Sequence, residues 1–131
     1  MPIFVATLCF FACATGKLNI SYDLSPSELI QRAQEASDRN RYNYALQYYQ
    51  ALLERNSTNI DLVCNAEYEI AFIHYKQKKY AQAKAEFNAL LERYSAPGGE
   101  SLPQQFKLLA NKVLERISEK EKPRSLFSRK T

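Results

Sequence analysis

A fifteen-residue stretch of this sequence recurs in similar form thirty-eight residues further on, with seven of its positions identical. Residues 41–55 and 79–93 align without a gap: Tyr42 with Tyr80, Ala45 with Ala83, Tyr49 with Phe87, and Ala51-Leu52-Leu53-Glu54-Arg55 with the identical run Ala89 to Arg93. Self-similarity at a period of 20–50 residues is the mark of stacked supersecondary units, none of which buries its apolar face alone. Each copy follows a second helical pattern: Leu29, Ile30, Ala33 and Ala36 before the first, Ile70, Ala71, Ile73 and His74 before the second. These spacings repeat on one helix face.

Boundary chemistry divides the pattern into helices. Ser25-Pro26-Ser27-Glu28 offers a capping serine, a proline in the first turn and a glutamate at the third position, the signature of a capping box. Ser101-Leu102-Pro103-Gln104 has the same spacing, and Asn56 to Asn59 and Ser95 to Gly99 are rich in turn formers. Five helices are expected, at about 26–38, 41–55, 61–77, 80–94 and 102–119.

With those residues in place, the sequence resembles the tetratricopeptide repeat family over about 26–119. The resemblance rests on Ala33, Tyr42, Ala45, Tyr49 and Leu52 in one unit and Ala71, Tyr80, Ala83, Phe87 and Leu90 in the next. A third unit keeps Phe106, Leu109, Ala110 and Val113, has one helix and ends in a charged stretch, as a capping helix would. The resemblance implies an all-α fold of two helix-turn-helix repeats plus a cap, wound into a short right-handed superhelix. Glu67 and His74 depart from the family pattern, which favours aromatics at both places.

Composition bears on function by exclusion. With 46% hydrophobic and 24% charged residues, three Gly, and nine Tyr with seven Phe, the chain has material for an ordered, aromatic-rich core. The only His, His74, falls on a core position, and there is no Ser-His-Asp set, Gly-rich phosphate loop or HExxH. Cys64 stands alone, and no cysteine pair has zinc spacing. An enzyme, a metal site and a bound cofactor are therefore not expected.

The ends are distinctive. Ile3 to Ala12 is an apolar run of about ten residues, the length of a signal-peptide core and half that of a membrane-spanning helix. It leads into Ala12-Cys13-Ala14, which resembles a bacterial lipoprotein signal with Cys13 as the lipidated residue. Phe10 and the lack of a basic residue before the run depart from that pattern. Residues 1–13 are thus expected as the signal, 14–25 as a tether, 26–119 as the repeat domain and 120–131 as a disordered basic tail. The stretch from Ser118 onward holds Lys120, Lys122, Arg124, Arg129 and Lys130 against Glu119 and Glu121, most of the chain's net charge of +4.

Repeat proteins of this family bind partners along the face lined by the first helix of each unit. With Ile70, Ala71 and His74 turned to the core, Asn65, Tyr68, Phe72, Tyr75 and Lys76 fall on the opposite face, with Gln34, Ser37 and Asp38 on one side and Lys107 and Asn111 on the other. Tyr68, Phe72 and Tyr75 form an aromatic stripe there, the expected contact surface. Glu67 and Glu69, two apart, point to different faces. The lysine and asparagine clamp by which chaperone-binding members hold a carboxylate is absent, since Ile30 and Gln34 stand at those positions. The expected function is a protein-binding adaptor of the bacterial cell envelope, anchored by lipid on the periplasmic face, with a peptide or protein partner and no nucleic acid. Its texture is similar to that of the BamD-type and Tol-Pal-associated repeat lipoproteins. The rival expectation is a cytosolic repeat subunit whose basic tail touches an acidic partner.

Overall fold

The computed structural model describes residues 16–123, and within them every regular element is helical: α1 (Pro26–Asp38), α2 (Tyr42–Arg55), α3 (Ile60–Lys76), α4 (Tyr80–Ser95), a 3₁₀ turn (Gly99–Ser101) and α5 (Gln104–Glu121). Each helix packs on the next in sequence, and α5 also touches α3. Short connections force this antiparallel order.

The helix starts follow the residues before them. Ser25 forms the expected capping box: its side chain accepts from the Glu28 amide at 3.3 Å, and its own amide donates to Glu28 Oε2 at 2.8 Å. Asn59 caps α3 by accepting from the Leu62 amide. The box expected at Ser101 does not form. Pro103 precedes α5, and the Gln104 amide group instead donates to the carbonyls of Gly99, Glu100 and Leu102, closing the 3₁₀ turn. Gly98 supplies a left-handed φ of 86°, and a Cβ on Gly99 would lie 2.3 Å from the Tyr94 carbonyl oxygen. Two glycines in a row therefore serve two different needs.

The turn between paired helices recurs with the sequence. Arg41 donates to the Ala36 carbonyl and Asn40 to Ser37; thirty-eight residues on, Lys79 donates to His74 and Lys78 to Tyr75. Asn40 and Lys78 have φ of 58° and 61°. Both turns are Schellman motifs with a left-handed residue just past the helix. Neither has the glycine that usually sits there.

Two apolar clusters share α3. Leu29, Ala33, Ala45, Tyr49 and Leu52 meet Ala66 and Ile73 on one side. Cys64, Tyr68 and Ala71 meet Ala83, Phe87, Leu90, Phe106, Ala110, Val113 and Ile117 on the other. The alanines at 33, 45, 71 and 83 have no exposed surface, so a larger side chain at any of them meets a neighbouring helix. Leu109, expected in this core, is exposed, as is Leu108. The turn of α5 that faces α4 uses Phe106, Ala110, Val113 and Ile117 at spacings of four, three and four, which rotates Leu109 outward.

Residues 16–25, expected as a tether, lie along α2. The Leu18 amide donates to Gln47 Oε1 at 2.7 Å, Arg55 donates to the carbonyls of Ile20 and Ser21 at 3.0 and 2.8 Å, and Ile20 and Leu24 pack on the first cluster. Arg55 also stacks over Tyr22. Its repeat counterpart Arg93 makes a two-pronged pair with Glu67 at 2.6 and 2.8 Å. Identical pentapeptides thus hold different things. Cys13 and the basic residues from Arg124 onward lie outside the described residues.

Candidate functional site

The α3 stripe divides along its length. Tyr68 is only 7% exposed, with its ring centroid 5.7 Å from both Phe87 and Phe106 and 5.9 Å from Phe72. It belongs to the core, a correction to the expectation that placed it on a free face. α5 closes over that part of α3, and a large ring was needed to fill the space between α4 and α5. Phe72 and Tyr75 are half-buried, stacked on one another at 5.8 Å, with Tyr75 continuing to Tyr80 at 5.9 Å. Lys107 and Asn111 are exposed on α5, and Asn111 donates back to the Lys107 carbonyl.

Where α1 and α3 face each other, a cleft of about 270 Å³ opens, lined by Gln34, Ser37 and Asp38 of α1, Tyr49 of α2, and Glu69, Phe72 and Lys76 of α3. Lys76 donates to the Ser37 hydroxyl, and its ammonium lies over the rings of Tyr42 and Phe72 at 5.3 and 5.4 Å. Neither Asp38 nor Glu69 has a salt-bridge partner among the described residues. Glu69 is half-buried, and burial pushes its carboxyl above the usual range, with Lys76 opposing and Asp38 reinforcing the shift. Tyr49 is 1% exposed and its hydroxyl has no hydrogen-bond partner. Burial, then the charges of Glu69 and Asp38, hold its phenol well above the ordinary value. One turn before Glu69, the half-buried Asn65 also leaves Oδ1 without a partner. Unpaired buried polar groups are rare enough in folded proteins that one in the wall of a cleft calls for a reason.

Of the six residues expected to contact a partner, Phe72 and Lys76 line this cleft, Tyr75 stacks on Phe72, Asn65 lies about two turns earlier on α3, Lys107 stands apart on α5, and Tyr68 is core. Glu69 and Tyr49 were not expected to contribute. The separation of Glu67 and Glu69 was right: Glu67 pairs with Arg93 on the other side of α3. The consequence missed is that Glu69 joins Asn65, Phe72 and Lys76 at spacings of four, three and four, a stripe that crosses the aromatic one at Phe72. Tyr49 matches Phe87 in the repeat, and its extra hydroxyl was the signal available.

A second cleft of about 390 Å³ is formed by α2, α3 and α4, lined by Leu53, Glu67, Ile70, Glu86, Ala89, Leu90, Glu92 and Arg93. Its charged groups are largely engaged, with Arg93 on Glu67 and Glu86 on His74 Nδ1 at 2.7 Å. His74, 7% exposed, is thereby held in a packing role. Cys64 is buried and burial pushes its thiol up, which keeps it protonated and unreactive. No helix among the described residues is long and apolar enough to cross a membrane.

Comparison with known proteins adds a relative of unassigned role. The chain is 33% identical over 109 residues to an uncharacterized protein of Treponema pallidum (strain Nichols), an alignment covering 82% of this chain and 44% of that protein. The chain therefore spans less than half the length of that relative. No family model matches the sequence, and no solved structure matches it.

Proposed function

We propose that the chain is a helical-repeat adaptor of the tetratricopeptide type that holds a partner polypeptide in the cleft between α1 and α3. The observation behind this reading is the cleft itself: half-buried Phe72 and Lys76, the carboxylates of Asp38 and Glu69 without a salt bridge, and Tyr49 with a buried hydroxyl that has no partner all line one place. The recurrence of helix, Schellman turn and helix at an interval of thirty-eight residues supports the repeat assignment. A small number of convergent polar groups beside an apolar wall is what orients a bound segment. Binding rather than catalysis is proposed because the cleft's acids and lysine surround neither a nucleophile nor a base paired with one.

The comparison that tests it is capture of partners from native cells by the wild-type chain and by a Phe72→Ser, Tyr75→Ser variant. A protein retained by the first and lost from the second, with the melting point of the variant within a few degrees, supports the adaptor reading. Equal retention refutes it. Envelope anchoring through Cys13 belongs to the same proposal, supported by the apolar run before it. Mass spectrometry of the native protein should find a diacyl or triacyl cysteine, and Cys13→Ala should leave the membrane fraction or remain unprocessed. An unmodified residue 13 in the native protein excludes the anchor.

A further inference from the structure

We infer that the α1–α3 cleft is a cation pocket, built to receive an arginine or lysine side chain of the bound segment. The inference deepens the adaptor reading and rests on it for the source of the side chain.

The groups facing the cleft are out of balance. Acceptors come from three helices: Asp38 on α1, the Tyr49 hydroxyl on α2 and Glu69 on α3. The one cation present, Lys76, is spent on the Ser37 hydroxyl and on the faces of Tyr42 and Phe72, and forms no ion pair with either acid. The pocket therefore keeps a net negative charge with Lys76 counted. Tyr49 lines the cleft, is 1% exposed and its hydroxyl has no partner, so a desolvated, unsatisfied polar group lies in the cleft wall. A half-buried carboxylate left unpaired is costly, and a positively charged guest removes that cost on arrival.

Donor geometry favours guanidinium. It presents five N–H groups in a plane, two of which match a carboxylate side by side, leaving others for Asp38 and, where the wall gives, for the Tyr49 oxygen. The plane can lie against the Phe72 ring that walls the cleft. An ammonium has three donors and no plane, so lysine should enter less tightly. An anionic guest would meet both carboxylates, and an apolar one would leave the Tyr49 hydroxyl and Glu69 unsatisfied.

The test is a titration of the isotope-labelled chain with N-acetyl-arginine amide, followed by amide chemical shifts. N-acetyl-citrulline amide, the same shape without charge, is the comparison, and N-acetyl-lysine amide is a third arm. Saturable shifts confined to Ser37, Asp38, Glu69, Phe72 and their neighbours are expected, weaker with lysine and absent with citrulline. Glu69→Gln should weaken arginine binding at least tenfold, and Tyr49→Phe severalfold, while the melting point of Glu69→Gln stays level or rises. Citrulline shifts equal to those of arginine, shifts scattered over the surface, or undiminished binding by Glu69→Gln would each overturn the pocket. The adaptor reading is judged separately: equal partner capture by wild type and by the Phe72 and Tyr75 variant sinks it, whereas lost capture with no arginine response sinks the pocket and leaves the adaptor standing.

Discussion

Tyr68→Ala asks whether the α3 stripe belongs to the core or to a binding face, and the two answers differ widely in size. A buried aromatic side chain removes roughly 150–250 Å² from water, which at about 25 cal/mol per Å² corresponds to about 4–6 kcal/mol. Alanine keeps its own share of that area, and aromatic-to-alanine changes in cores cost about 3–5 kcal/mol. Tyr68 is 7% exposed and rings from α3, α4 and α5 surround it within 6 Å, centroid to centroid, so little collapse of the cavity is available and the upper half of that range applies. For a domain of this length each kcal/mol moves the midpoint by about 4–8 °C, and a loss of about 4 kcal/mol or more should lower the midpoint by at least about 16 °C. Circular dichroism at 222 nm against temperature measures it. Tyr68→Phe keeps the ring and should change stability by about 1 kcal/mol or less. A Tyr68→Ala midpoint within about 3 °C of wild type, the scale of a surface change, would show that α5 does not close over Tyr68 and that the stripe is free after all.

Lys78→Gly should stabilise the chain by about 0.5–1 kcal/mol, because relief of the left-handed strain on a residue with a Cβ exceeds glycine's extra entropy in the unfolded chain; urea unfolding that shows a loss would mean the φ of 61° at Lys78 is not held. Glu69→Gln should raise the melting point at pH 7 and have little effect at pH 3. The folded-state pKa of Glu69 is raised by burial, against Lys76 on α3 and with Asp38 on α1 adding to it beside the neutral Tyr49 of α2, so the native state favours the protonated form, and its penalty appears only as pH rises through the carboxyl range. A gain that persists at pH 3 would assign the effect to packing instead. Arg55→Ala should release residues 16–24, seen as faster hydrogen exchange at the Leu18 amide, which is bonded to Gln47, while protection in α3 and α4 stays unchanged; unchanged exchange at Leu18 would show that Arg55 does not hold the segment.

Sequence alone gave access to the all-helical class and to the five helices of the described residues, because helix periodicity and helix starts are local signals. Ser25 with Glu28 and the turn-rich stretches at 56–59 and 95–99 act within one or two turns of themselves, whereas the box expected at Ser101 gave way to the 3₁₀ turn. Sequence also picked out the alanines at 33, 45, 71 and 83, since small residues at recurring helical positions mark close contact wherever the partner helix comes from. Where the same residues meet different neighbours, local pattern has no access to the answer. Arg55 and Arg93 sit in identical pentapeptides, yet one holds an extended segment and the other Glu67. Leu109 and Tyr68 were misplaced for one cause: the rotation of α5 over α3 and α4 decides which side of each helix is covered, and that rotation is a property of three packed helices together. The cleft follows the same logic. Asp38, Tyr49 and Glu69 come from three helices with no spacing in common, so only the packed fold could bring two acids and a desolvated hydroxyl to one place.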